Sequence, residues 1–172
     1  RGFSSNGGGD FGGQYLKYHE PKPREITPAQ ESWIRIYVNR FESALYAANW
    51  LTRTGTNHYA HYIDVDSFVD NHWMVEFAKQ IDGYRLSNYL HKDRGGKLKM
   101  SPIWDWNLSF GNADYLDGEN TAGWYYPLLD ANPHIWLRRL IDGTPWSGGG
   151  AGDPDFNQRI ADRWSELRTN VL

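Results

Sequence analysis

Hydrophobic residues recur at helical spacing in four stretches of this chain, and polar residues fill most positions between them. Residues that favour a helix start precede the first and the last stretch, namely Thr27 before Pro28 and Asp153 before Pro154. Gln30 also stands where a capping box needs it. The pattern therefore predicts four amphipathic helices, over residues 28–51, 66–79, 133–141 and 154–170.

The apolar faces of these helices are predicted to form much of the core. In the first helix the face includes Trp33, Phe41 and Leu45. In the second it includes Trp73 and Phe77. Spacing of three and four residues places the members of each set on one side of their helix.

Short strand-like runs lie before the first predicted helix, at residues 14–19, and after the second, at residues 85–91 and 97–102. Residues 92–96 contain two glycines and are predicted to join the last two runs as a hairpin. Residues 1–13 are rich in glycine and are predicted to form a flexible loop. Four helices with a few short strands predict the α+β fold class.

The composition of the 172-residue chain excludes several classes of protein. No apolar run is long enough for a membrane-spanning helix, and the lack of cysteine excludes disulfides and thiolate zinc sites. The net charge of −3 argues against a protein that binds nucleic acid through charge alone. The aromatic content of 16%, with nine tryptophans, keeps a carbohydrate-binding or glycoside-hydrolase-like module open as an alternative.

Two aspartates flank the predicted hairpin at its open end. Asp82 precedes the first strand, and Asp105, between two tryptophans, follows the second. Because a hairpin returns the chain to its starting point, we expect the two carboxylates to lie near each other. Such a pair suits a divalent cation with a general base, or an acid–base pair, and Asn88 adds a neutral oxygen ligand. The alternative is structural, with an Asp-Gly turn and a buried aspartate that only accept hydrogen bonds.

Four segments follow one another over residues 62–112, namely YIDVDSFVD from residue 62, QIDGYRLSNYL from residue 80, KDRGGKLK from residue 92 and PIWDWNLSFGN from residue 102. Their sequences and order resemble the CotH kinase family of bacterial spore-coat and secreted proteins. The helix start near residue 27 and the closing segment 163–168 also fit the family. The resemblance therefore covers nearly the whole chain.

This resemblance implies an atypical protein-kinase fold and ATP-dependent phosphorylation of protein serines with Mg²⁺ or Mn²⁺. By position in the motifs, Asp82 corresponds to the catalytic aspartate and Asp105 to the metal-binding aspartate. Asn88 is predicted to be a second metal ligand. Many relatives have aspartate where this chain has Asn107, so Asn107 is expected to make a weaker metal or phosphate contact. The family also implies a secreted, cell-surface or spore-coat location.

The resemblance assigns residues 1–172 to the large C-terminal lobe of such a kinase. Residues 14–26 correspond to a strand and a hinge-like segment, and residues 27–172 to a mainly helical lobe whose hairpin bears the site. The small N-terminal lobe, with its lysine and phosphate-covering loop, is largely absent from this sequence and is expected upstream in the same polypeptide. A catalytically inactive, kinase-like scaffold is therefore a further alternative.

Geometry separates the kinase from the carbohydrate alternative. In a kinase the two carboxylates converge on one metal position, and the tryptophans are expected to be mostly buried. In a glycosidase the carboxylates lie on opposite walls of an open cleft lined with exposed rings. The rings available for such a sugar platform are Trp104, Trp106, Trp124, Tyr125 and Tyr126.

Overall fold

Helices and two small antiparallel sheets make up the described part of the chain, in agreement with the predicted α+β class. The computed structural model describes residues 1–84, 86–129, 135–144 and 150–171. The main elements are β1 (Gly2–Ser4), β2 (Tyr15–Lys17), α1 (Pro28–Leu45), α2 (Val65–Ala78), β3 (Leu90–His91), β4 (Lys99–Met100), α3 (Ile135–Asp142) and α4 (Pro154–Asn170). The chain divides into two units, Arg1–Ile63 and Asp64–Leu172. Among the described helices, none combines the length and apolar character needed to cross a membrane.

The first unit begins with the small sheet of β1 and β2, which pair antiparallel. The composition predicts a flexible loop over residues 1–13, but residues 2–4 form a strand because the buried ring of Phe3 anchors them. Gly13 lets the two chain segments approach closely, since a Cβ at this position would overlap the backbone oxygen of Ser5.

Helix α1 starts where the sequence predicts and ends earlier. The Thr27 hydroxyl accepts the backbone N–H of Gln30 (3.3 Å), and Gln30 Oε1 accepts the N–H of Thr27 (2.9 Å), which confirms the capping box. The apolar pattern predicts a longer helix, but α1 ends at Leu45 and a 3-10 turn follows. This break in the helix accompanies the burial of Trp50 against Tyr59, whose ring centroids are 5.8 Å apart.

In the second unit, α2 packs against α4. Trp73 of α2 stacks on Trp164 of α4, with ring centroids 4.7 Å apart, and Trp73 Nε1 donates to the backbone oxygen of Ile160 (2.9 Å). Helix α4 begins after its predicted N-cap, Asp153, whose carboxylate accepts the backbone N–H of Asp155 (2.8 Å). Local capping and long-range aromatic packing together fix this helix.

Helix α3 brings a buried arginine into the second unit. The predicted start of this helix at residue 133 lies outside the described residues. Within the described helix, the guanidinium of Arg138 donates to the Asp142 carboxylate (2.8 Å) and to the backbone oxygen of Leu129 (2.6 Å). The same guanidinium lies 4.7 Å from the ring centroid of Tyr126. These partners compensate the burial of its charge.

The predicted hairpin is present, but it is shorter than expected, with two residues in each of β3 and β4. The predicted first strand starts at Arg85, which lies outside the described residues. Leu86 and Ser87 are not extended, because their N–H groups donate to the backbone oxygen of Asp82 in a turn. After β4, Pro102 has no N–H with which to continue the ladder.

The predicted apolar faces are correct only in part. Leu45 is fully buried, as its helical spacing predicts. Trp33 is 52% exposed and stacks on Tyr37, and Phe77 is also exposed, with its ring edge-on to Phe110. Helical spacing identifies the side of a helix on which a residue lies, but neighbouring elements decide how much of that side is covered.

Candidate functional site

The chain turns sharply after α2 and then passes through Asp82. Lys79 caps the helix in the left-handed conformation (φ 44°). Gly83 is required by close packing, since a Cβ there would lie 2.7 Å from Cγ2 of Val75. The backbone oxygen of Asp82 accepts the N–H of Leu86 (2.9 Å). The backbone of Asp82 is thus fixed on both sides, while the residue itself is partly exposed.

A buried glutamine joins the turn at Asp82 to the loop at Asp105. Gln80 is 0% exposed. Its Oε1 accepts the backbone N–H of Asp82, and its Nε2 donates to the backbone oxygen of Asp105, each at 3.0 Å. The Gln80 amide therefore connects the two backbones directly. The backbone nitrogen of Asp82 and the backbone oxygen of Asp105 lie within roughly 8 Å of each other. The two segments meet, as expected for the ends of a hairpin.

The loop at Asp105 has an unusual backbone and an exposed side chain. Asp105 adopts a left-handed conformation (φ 59°), which aspartate tolerates better than most residues but which still carries strain. With its amide nitrogen turned toward Asp105, Asn107 donates to Asp105 Oδ1 (3.1 Å) and to the Asp105 backbone oxygen (3.3 Å). Gln80 and Asn107 together hold this loop, and the carboxylate of Asp105 faces solvent.

Asp105 offers one exposed carboxylate, a type of ligand that Mg²⁺ accepts. Among the described residues, no group of three or more His, Asp or Glu side chains is arranged to hold a metal. Mg²⁺ usually takes only one or two carboxylates, and substrate phosphates with water complete its octahedron. Asp105 provides one such carboxylate, and the hydrogen-bonded amide of Asn107 turns its nitrogen, not its oxygen, toward it.

Asn88, the other predicted metal ligand, lies just before β3 in the hairpin. It is partly buried, and its Nδ2 has no hydrogen-bond partner among the described residues. In the described chain it makes no hydrogen bond to Asp105 or Asn107. Its role as a second metal ligand stays a prediction.

The tryptophans near the site are more exposed than the kinase expectation requires. Trp104 is 54% exposed and lies edge-on to Tyr89, with ring centroids 5.7 Å apart, so it does not pack beneath the hairpin as a core residue. Trp124 is 45% exposed, whereas Tyr125 is buried against Tyr84. The rings considered for a sugar platform are therefore divided between surface and core.

The family model described as CotH kinase protein matches residues 1–172, the whole chain. This chain belongs to the CotH kinase family. The resemblance inferred from the motifs over residues 62–112 is thereby confirmed, and it makes the chain a kinase-like protein. No curated protein and no solved structure shows significant similarity to it.

Sequence reasoning missed a lysine that anchors the turn after α2. Lys79 Nζ is buried and donates to Asp117 Oδ2 (2.9 Å) and to the backbone oxygens of Asn120 (2.7 Å) and Ala122 (3.3 Å). The hydrogen bond from Lys79 lowers the pKa of the Asp117 carboxyl. A lysine at a helix end is usually exposed, so the sequence offered no signal for this role.

Sequence reasoning also missed a polar network behind Asp82, which consists of His72, Glu76 and Tyr84. Tyr84 Oη lies 2.8 Å from Glu76 Oε1 and 2.7 Å from His72 Nδ1, and all three residues are buried. Burial lowers the pKa of His72 to about 4 and raises that of Tyr84 well above its usual value. Burial also raises the pKa of Glu76, against the opposing effect of its hydrogen bonds.

The helical spacing of His72 and Glu76 is a weak indication of the network in the sequence. His72 and Glu76 are four residues apart on α2, so they lie on the same face. That face is otherwise apolar, and polar residues on a buried face need partners. The sequence alone does not identify Tyr84 as that partner. Likewise, Gln80 belongs to a family motif, but nothing local indicates which groups its amide joins.

Proposed function

We propose that this chain forms the catalytic lobe of an ATP-dependent protein kinase that phosphorylates serine in a protein substrate. The Gln80 bridge supports this proposal most directly, because it brings the backbones of Asp82 and Asp105 together. Phosphoryl transfer needs two carboxylate functions in one place, one for the attacking hydroxyl and one for the metal. Family membership supports the same reaction class.

Asp82 is proposed to act on the substrate hydroxyl. Its carboxylate would orient the serine hydroxyl and accept its proton as the serine oxygen bonds to the γ-phosphorus. The bond from that phosphorus to the bridging oxygen of ADP would break in the same step. The hydrogen-bonded turn supports this role, since a fixed backbone gives the carboxylate a defined position.

Asp105 and Asn107 are proposed to hold Mg²⁺ or Mn²⁺, with Asn88 as a further amide ligand. The metal, when bound, supplies positive charge that offsets the charge of the phosphates. The exposed carboxylate of Asp105 supports a cation position there. In its hydrogen-bonded orientation, Asn107 presents its amide nitrogen to that carboxylate at 3.1 Å. Turning the Asn107 amide would present its oxygen to the cation, which adds a ligand but no charge.

The proposed kinase requires partners beyond this chain. An upstream N-terminal lobe of the same polypeptide is proposed to complete the nucleotide site, because a kinase uses a lysine and a covering loop from that lobe. The substrate is proposed to be a protein with an accessible serine. No nucleic-acid partner is proposed, in keeping with the net charge of −3. A secreted, cell-surface or spore-coat location is proposed from the family alone.

The proposal is tested by transfer of labelled phosphate from ATP in the full-length protein. Asp82→Asn and Asp105→Asn should each lower the rate by at least about 100-fold, since each removes a group that acts at the transition state. Asp93→Asn is the matched control, because Asp93 is an exposed aspartate in the loop of the same hairpin. It should transfer phosphate at the unchanged rate.

Two further measurements separate the roles of the aspartates. Asp105→Asn should raise the Mg²⁺ concentration needed for ATP binding, whereas Asp82→Asn should leave it unchanged. Both variants should melt close to the wild-type temperature, because neither carboxylate is buried. A full-length protein that transfers no phosphate with either metal would instead be a kinase-like scaffold. Full activity of Asp82→Asn would show that Asp82 is structural.

A further inference from the structure

A cavity of about 170 Å³ lies in the second unit and is lined by neither Asp82 nor Asp105. Residues of α2 and α4, the segment around Trp124 and the end of α3 form its walls. Most of the lining is apolar or aromatic, with contributions from Trp73 and Tyr126. The cavity is partly open to solvent, and its volume is close to the about 150 Å³ that accommodates one benzene ring.

The number of hydrogen-bond donors determines which atom donates each proton in the buried network of Glu76, Tyr84 and His72 beside this cavity. Glu76 accepts the backbone N–H groups of Tyr125 and Tyr126, each at 2.8 Å, and the hydroxyl proton of Tyr84 at 2.8 Å. Tyr84 has only one proton to donate. With the Glu76 carboxylate ionised and accepting that proton, the 2.7 Å contact between Tyr84 Oη and His72 Nδ1 uses a proton from His72.

This assignment leaves His72 Nε2 as a hydrogen-bond acceptor. In neutral imidazole only one nitrogen carries a proton, and burial lowers the pKa of His72 to about 4, which keeps the ring neutral at pH 7. His72 is 6% exposed and lines the cavity. Within the described part of the chain, Nε2 has no hydrogen-bond partner. Since Nδ1 is directed at Tyr84, Nε2 is the atom that His72 offers to the cavity.

We propose that this cavity binds a single aromatic ring that carries one O–H or N–H donor. The ring would pack among Trp73, Trp124 and Tyr126, and the donor would bond to His72 Nε2. Nε2 makes no hydrogen bond to the described chain, and such a ligand would give it a donor inside the aromatic cavity. An ammonium ligand fits less well, because the Glu76 carboxylate already accepts three hydrogen bonds. This proposal is independent of the kinase assignment.

Phenol is the probe, and benzene is the matched control without a donor. Binding to the chain is followed by NMR through the amides of Tyr125 and Tyr126, which report on Glu76, and through the imidazole of His72. Phenol should shift these signals saturably and bind at least about tenfold more tightly than benzene, the gain expected for one buried hydrogen bond. Equal affinities, or no saturable shift, would overturn the proposal.

Two variants test the cavity and the hydrogen bond separately. Ile160→Phe fills the cavity and keeps the polar chain intact, so it should weaken phenol binding at least about tenfold. His72→Phe should bring phenol to the affinity of benzene, but it also removes a partner of Tyr84 and can unfold the chain. Ile160→Phe therefore decides alone if the histidine variant does not fold. Unchanged phenol affinity in folded Ile160→Phe would refute binding at this cavity.

Discussion

The turn through Asp82 and the loop through Asp105 are held in different ways, although one glutamine side chain joins them. Behind Asp82 lies a buried network in which His72, Tyr84 and Glu76 are hydrogen-bonded in series. Around Asp105 the described chain has a left-handed backbone, the Gln80 bond and the Asn107 amide. The first region is built into the core and the second lies at the surface.

This difference matches the two chemical roles proposed for the aspartates. A group that orients a hydroxyl gains from a rigid position, because small displacements are costly to the reaction. A group that binds a metal together with a phosphate must admit both ligands and therefore gains from exposure. The buried Gln80 amide links the exposed loop to the rigid turn through its two hydrogen bonds. The predictions below address this link first and then each region.

Gln80→Ala is expected to have the largest effect. It leaves the Asp82 N–H and the Asp105 oxygen without their partner and opens a cavity, so it should lower the free energy of unfolding by roughly 2–4 kcal/mol. The measurement is chemical denaturation of the chain. In the full-length protein, phosphate transfer should also fall sharply, because the two aspartates lose their common anchor.

Gln80→Met and Gln80→Glu separate the contribution of the Gln80 hydrogen bonds from that of its volume. Methionine keeps the volume but loses both hydrogen bonds, whereas glutamate keeps the acceptor for Asp82 and loses the donor to Asp105. Both variants should be less stable than the wild type. Wild-type stability and activity in Gln80→Met would show that the glutamine only fills space.

An acid-dependent loss of stability is expected from the network behind Asp82. The pKa of His72 falls from 6.5 to about 4 on folding, so its contribution is complete above pH 6.5 and is lost as the pH falls toward 4. Glu76 works in the opposite direction, because its raised pKa favours the folded state at low pH. Unfolding free energies measured between pH 7 and pH 4 should show a smaller acid loss in His72→Gln than in the wild type.

His61→Gln is the control for the histidine effect, because His61 is exposed. It should reproduce the wild-type pH profile. If His72→Gln shows the same acid loss as wild type, the burial of His72 is not the source of the acid sensitivity.

Trp104→Ala is expected to have the smallest effect on stability. The ring is half exposed beside the Asp105 loop, and its contact with Tyr89 should contribute only about 1 kcal/mol. Trp136→Ala is the matched contrast, because this tryptophan is almost fully buried and its loss should cost about 3–5 kcal/mol. Thermal melts of both variants give the comparison. Equal losses would mean that Trp104 is a core residue.

Local signals allowed several elements to be predicted from the sequence. Thr27 with Gln30, and Asp153 before Pro154, mark helix starts because the cap hydrogen bonds join residues that are close in the chain. The two glycines of residues 92–96 indicate the hairpin, and the hairpin implies that the segments at Asp82 and Asp105 meet. Family motifs are similarly readable, since they are runs of neighbouring residues.

Only the tertiary structure decided which side chains hold these segments in place. Gln80 bonds across to Asp105, and Tyr84 connects residues of α2 to the backbone at residues 125–126 through Glu76. The exposure of Trp104 depends likewise on how far its neighbours cover it. Cap and period signals act over a few residues, whereas burial and hydrogen bonding depend on groups that are far apart in the chain. The sequence by itself therefore determined the starts of α1 and α4, the hairpin and the family, and packing determined how the candidate site is supported.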